Sequence, residues 1–187
     1  MVQTPVKPLT LEDFLQLPET KPASEFLDGY AIQKPMPKAA HSRIQGKLTT
    51  AINSVLEEER KALAFPELRC TFDGRSMVPD ITVLPWSLIP RGENGMMDGE
   101  LSAAPVWMIE VLSPGQSQTK VMKKILRSLE YGTQIGWLID PAEKSVFTYA
   151  PGAQTGFYED PDDQLPVPAF AVDFQLTVGE LVAWLYE

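Results

Sequence analysis

Val106-Trp107-Met108-Ile109-Glu110-Val111-Leu112 is an apolar run interrupted only by Glu110, and Val78-Pro79-Asp80-Ile81-Thr82-Val83-Leu84 is a second run that carries Asp80. Both are too short for a helix, rich in β-branched residues and bounded by Pro or Ser, so both read as strands buried on their two faces. An ionised carboxylate in such a strand is costly unless it is ion-paired, hydrogen-bonded or bound to metal. The two runs therefore predict an α/β fold with a central sheet, and their acids mark where to look for chemistry.

The flanking segments fit that frame. Thr10-Leu11-Glu12-Asp13 predicts a capped helix running to about Leu17 and stopped by Pro18. Phe26-Leu27-Asp28-Gly29-Tyr30-Ala31-Ile32 reads as a hairpin turning on Asp-Gly. Ile44, Leu48, Ile52 and Leu56 recur at helical spacing and predict a long core helix from about His41 to Glu59. Further strands are expected over 64–72, 78–84, 106–112, 135–139 and 146–149, with an exposed loop over 90–105. Helices are expected over 117–131 and 176–186, and an acidic loop over 158–163. This order implies a mixed central β-sheet flanked by α-helices.

With 187 residues, one well-cored domain spanning 1–187 is expected. The formal charge of −9 argues against a protein that coats nucleic acid non-specifically, but leaves room for a local basic patch beside a metal. Cys70 is the only cysteine and His41 the only histidine, which excludes internal disulfides, Cys- or His-rich metal sites and most triad chemistry. Gly46-Lys47 lacks the remainder of a phosphate loop. No apolar stretch is long enough for a membrane span and no leader pattern opens the chain, so a cytoplasmic protein is expected.

Two acids on neighbouring strands can share one hard divalent cation, which prefers carboxylates, backbone carbonyls and water. Mg²⁺, or Mn²⁺ in its place, would activate water and offset charge on an attacked phosphodiester. A cation is needed nearby. On a helical wheel, Lys120, Lys123, Lys124 and Arg127 form a basic face on the helix after Glu110, opposite Val121, Met122, Ile125, Leu126 and Leu129. Each feature also has a plain structural reading. Pro-Asp is common turn chemistry, Glu110 could pair with an arginine such as Arg69, and a basic helix face is usually just solvated. The three together favour a metal site.

Glu25-Phe26-Leu27-Asp28-Gly29, His41, Val78-Pro79-Asp80-Ile81, Ile109-Glu110-Val111-Leu112-Ser113-Pro114 and Gly136-Trp137-Leu138-Ile139-Asp140-Pro141, in that order, resemble the Uma-type restriction endonuclease family of bacteria, within the PD-(D/E)XK nuclease superfamily. The resemblance implies a restriction-endonuclease-like fold and Mg²⁺-dependent cleavage of DNA phosphodiester bonds. It makes Asp80 and Glu110 the metal-binding acids, with help from Glu25 and the Ile109 or Val111 carbonyl. The superfamily pattern places a lysine two residues after the second acid, where this chain has Leu112. In the family the lysine has moved to the following helix, where Lys124 holds the usual position and Lys120 stands one turn earlier; the sequence leaves both open. His41 would contact phosphate or water. The departure at Leu112 also keeps an alternative in play: a catalytically degenerate nuclease-fold protein that binds DNA or protein, perhaps as a homodimer.

Overall fold

A computed structural model describes residues 9–186. Helix α1 (Leu11–Leu15) begins with a reciprocal capping box between Thr10 and Asp13, and is two residues shorter than the sequence suggests. Strands β1 (Ser24–Leu27) and β2 (Tyr30–Gln33) form the expected hairpin, with Asp28 at φ 50° and Gly29 at φ 85°. Two successive residues in the left-handed region are what a tight hairpin turn requires, and Asp-Gly supplies them cheaply.

The long helix α2 runs from Ala39 to Leu56 and buries Ile44, Leu48, Ile52 and Leu56, as its periodicity predicts. The single strand expected over 64–72 is two strands, β3 (Ala62–Pro66) and β4 (Cys70–Phe72). The strand expected over 78–84 is β6, which starts only at Ile81 (Ile81–Pro85), and a short strand that was not expected, β5 (Arg75–Met77), precedes it. Pro79 has no N–H to give a ladder, so the chain leaves one sheet after Met77 and enters the other at Ile81. A second Asp-Gly turn, Asp73-Gly74, joins β4 to β5.

Strand β7 (Trp107–Val111) is buried throughout, α3 spans Gln118–Leu129, and β8 (Ile135–Asp140) and β9 (Ser145–Tyr149) follow as expected. A short strand, β10 (Gly156–Tyr158), takes part of the region expected to be loop. The last helix, α4, is only Val178–Ala183, held to that start by a Thr177–Glu180 capping box. In the 90–105 loop, Leu101 and Ala104 are buried, and Leu101 bridges to Cys70.

Among the described residues, ten strands form two sheets. The central one is ordered β10-β9-β8-β7-β6-β3, with β7 and β8 parallel and the other pairs antiparallel, and is mixed as expected. The smaller one is antiparallel, β2-β1-β5-β4. Alternation along β7 sends Trp107, Ile109 and Val111 into a core with α2, while Met108 and Leu112 join the core under α3. Glu110 shares the parity of Met108 and Leu112, so it too faces α3. Gly136 on β8 lets α3 approach closely, because an added Cβ would lie 2.2 Å from the Ile125 side chain. Among the described residues, no helix is long and apolar enough to cross a membrane.

Candidate active site

Continuation of the β6–β7 register explains how the two acids meet. Ile81 stands opposite Ile109, and one further antiparallel step sets Asp80 against Glu110. Glu25 comes to the same place from β1, Lys34 from just past β2, His41 from the first turn of α2 and Lys124 from the middle of α3. The cluster thus straddles the junction of the two sheets, where the Val78-Pro79-Asp80 crossover lies.

Asp80 is 2% exposed and fully engaged. Its Oδ2 accepts the Val111 N–H at 2.8 Å, and its Oδ1 lies 2.6 Å from Lys34 Nζ and 3.4 Å from His41 Nε2. Lys34 also donates to the Val78 carbonyl at 2.8 Å, and Gln45 donates to the Asp80 backbone carbonyl at 2.8 Å. Burial alone would raise the Asp80 pKa. The hydrogen bond from His41 and the Lys34 charge outweigh it and hold the carboxyl well below the usual carboxylate range. His41 Nδ1 lies 3.1 Å from Ser113 Oγ, which fixes the ring that faces Asp80.

Glu110 has a different environment. It is 1% exposed, and its Oε1 lies 2.8 Å from Lys124 Nζ without the alignment for a hydrogen bond. The aligned hydrogen bond from the Lys124 ammonium goes to Glu25 Oε1 at 2.6 Å, an oxygen that also accepts the Val78 N–H at 2.8 Å. Burial pushes the Glu110 carboxyl up from the ordinary 4.5 to about 7, with Asp80 and Glu25 adding to the shift and Lys124 and Lys34 opposing it. Burial would also lower the Lys124 pKa, but the charges of Glu110 and Glu25 hold it well above the usual lysine range. The two shifts are compatible because one ammonium serves two carboxylates. Lys124 gains from both, whereas Glu110 has only a shared cation against two neighbouring acids.

Three buried carboxylates thus face two ammonium groups, and one carboxylate oxygen accepts no hydrogen bond. Excess negative charge and an oxygen-rich donor set suit a hard divalent cation. No cluster of three or more His, Cys, Asp and Glu side chains arranged for a metal occurs among the described residues. Asp80 and Glu110 would therefore be supplemented by a backbone oxygen and water, as is usual for Mg²⁺. Val111 lies beside both acids, with its N–H already directed at Asp80.

Helix α3 does not present one basic face. Lys124 falls in the buried stripe with Val121, Ile125 and Ser128, whereas Lys120 and Lys123 point to solvent. Lys120 lines a surface cavity outside the cluster. Arg69 does not pair with Glu110; its partners are Glu19, Ser76 and the Ser24 carbonyl. Sequence reasoning missed Lys34, Gln45 and Ser113. The spacing of Val121, Lys124, Ile125 and Ser128 could have singled out Lys124, since a lysine in an apolar stripe is as anomalous as an acid in a buried strand.

A mixed sheet with a β7-α3-β8 crossover and paired acids at its β6–β7 junction defines the restriction-endonuclease-like class of nuclease folds. The chain belongs to the Uma2 family, described as "Putative restriction endonuclease", whose model matches residues 11–179. It is similar in structure to a protein from Anabaena variabilis described as "a putative nuclease belonging to DUF820". The two are 54% identical, the match covers 95% of this chain and 99% of that one, and the TM-score is 0.93. No curated protein matches the chain. Family and structural neighbour together support nuclease function in general, and the expected family and fold class are met.

Proposed function

We propose that this protein is a metal-dependent endonuclease that hydrolyses DNA phosphodiester bonds in the cytoplasm, with Asp80 and Glu110 as its metal-binding acids. The observation that carries the reading is the buried Glu110 Oε1, left without an aligned hydrogen bond beside an Asp80 whose carboxyl is held ionised, its pKa well below the usual range. Mg²⁺ or Mn²⁺ held there, with the Val111 carbonyl and water completing the set, would supply Lewis-acid polarisation of the phosphodiester and a more acidic water. Lys124 is the catalytic lysine in this reading. Its ammonium is desolvated and beside Glu110, where it can offset charge developing on a scissile phosphate. Glu25 fixes Lys124 and would support a bound metal from its outer shell. His41 holds Asp80 in place through its Nε2, and would reach a phosphate or water only by releasing that contact.

Supercoiled plasmid incubated with Mg²⁺ or Mn²⁺ tests this directly. Cleavage should fall by on the order of a thousandfold in Asp80→Asn and Glu110→Gln, and on the order of a hundredfold in Lys124→Met, with Lys120→Gln affected far less. DNA left intact under both metals, or full activity in Asp80→Asn, overturns the assignment.

One observation favours the degenerate alternative. Each of the three acids already lies against Lys34 or Lys124, so the fold is electrostatically tolerable without a metal. A non-catalytic DNA- or protein-binding module, alone or as a homodimer, would show no calorimetric response to Mg²⁺ that Glu110→Gln abolishes.

A further inference from the structure

A cavity of about 250 Å³ lies on the outer side of α3, between that helix and the β1–β2 hairpin. Its apolar lining includes Tyr30, Ile32 and Met77, and its basic lining Lys120, Lys123, Lys124 and Arg127. Tyr30 is 71% exposed and Ile32 46%, on a strand with no residue buried. Exposed apolar groups on a sheet edge are a liability unless something uses them. The charge around them is distinctive as well. In a chain of net charge −9, Asp28 is the only acid lining this cavity among the described residues. Asp28 is occupied by Lys123 and Arg75, Arg127 pairs with Glu130, and Lys120 makes no ion pair among the described residues.

We propose that this cavity binds an unpaired nucleobase with its flanking phosphates, so that the strand to be cut reaches the acids with a base turned out of any stack. The inference rests on the nuclease reading of the Glu110–Lys124 site and narrows its substrate to strands with accessible base faces. A base face matches an apolar lining with a solvent-exposed tyrosine ring, and the neighbouring phosphates match a basic one. An intact duplex offers phosphates and base edges but keeps its base faces stacked, so it leaves the apolar lining uncovered. Lys124 links the two places, because it lines the cavity while its Nζ lies against Glu25 and Glu110.

Binding can be separated from cutting by working in EDTA with the wild-type chain and fluorescein-labelled DNA. Three probes suffice: a short single strand, the matching duplex, and an abasic sugar-phosphate strand of equal length. The single strand should bind at least about tenfold more tightly than the duplex. Tyr30→Ala, a change at an exposed residue, should weaken the single strand about tenfold and leave the abasic strand unchanged. Lys120→Gln should weaken both strands and flatten the salt dependence by about 0.7 in log–log slope. Equal or tighter duplex binding, or an unchanged single-strand affinity in Tyr30→Ala, overturns the proposal. So does a Tyr30→Ala variant that sediments as a monomer when the parent is a dimer and binds DNA as before, since the cavity is then an interface between copies. Cleavage with Mg²⁺, measured separately, distinguishes the two readings. Cutting without base-dependent binding removes only the base site, and base-dependent binding without cutting under any metal removes only the nuclease assignment.

Discussion

Asp80 and Glu110 are neighbours across one strand pair, yet their environments are opposite. Asp80 has a backbone N–H on one oxygen and Lys34 and His41 on the other, and stays ionised. Glu110 shares a single lysine with Glu25, has an oxygen with no hydrogen bond, and titrates near neutrality. Environments that separate the pKa values of adjacent acids usually assign them different tasks. Asp80 is a preorganised anion that a cation can approach at any physiological pH. Glu110 has a full charge to offer only after losing a proton, so in the proposed metal site its share of binding would be coupled to pH.

The largest expected effect comes from removing each half's lysine in turn. Lys124→Met leaves Glu25 and Glu110 buried without a cation, and should cost about 3–5 kcal/mol in urea unfolding at pH 8 with EDTA. The loss should shrink at pH 5, where Glu110 can be neutral. Lys34→Met leaves Asp80 with the Val111 N–H and His41, and should cost only about 1–3 kcal/mol. Equal losses would mean that the two acids are equally dependent on their lysines, contrary to the contrast drawn here.

The pH dependence of stability sharpens the same contrast. Glu110 has a folded-state pKa raised from 4.5 to about 7, so between those values the folded chain holds more protons than the unfolded one. Its contribution is fully present below about pH 4.5 and is lost as pH rises through about 7, by up to about 3 kcal/mol. Glu110→Gln should remove that decline in metal-free unfolding. Asp80, with its pKa depressed, works in the opposite sense. It contributes above the ordinary carboxylate pKa, and that stability is lost only in stronger acid. A wild-type profile flat from pH 4.5 to 7 would refute the account of Glu110.

Much of this could be read from residues. Asp80 and Glu110 stand out because charged groups rarely occupy buried strands, and α2 and the first hairpin follow from periodicity and an Asp-Gly turn. The late start of β6 was less visible, since Val78 extends the apolar run ahead of Pro79 although the strand begins only at Ile81. Strands as short as Arg75–Met77 and Gly156–Tyr158 carry too few alternations to register as a period. Lys34 was illegible for another reason. It approaches Asp80 from 46 residues away, by the packing of the hairpin sheet beside the central sheet, and no local pattern encodes that contact. The choice between Lys124 and Lys120 as partner of Glu110 depends on helix phase, which α3 resolves by burying one and exposing the other.

Calorimetric titration of the metal-free protein with Mg²⁺, repeated across pH 5.5 to 8.5 in buffers of different ionisation enthalpy, tests the central contrast most directly. Below about pH 7, binding should release close to about one proton per ion and tighten about tenfold per pH unit. Above that range, proton release should vanish and affinity should level off, and Glu110→Gln should remove both effects. Binding with no proton release and no pH dependence, or binding unaltered in Glu110→Gln, would contradict the account.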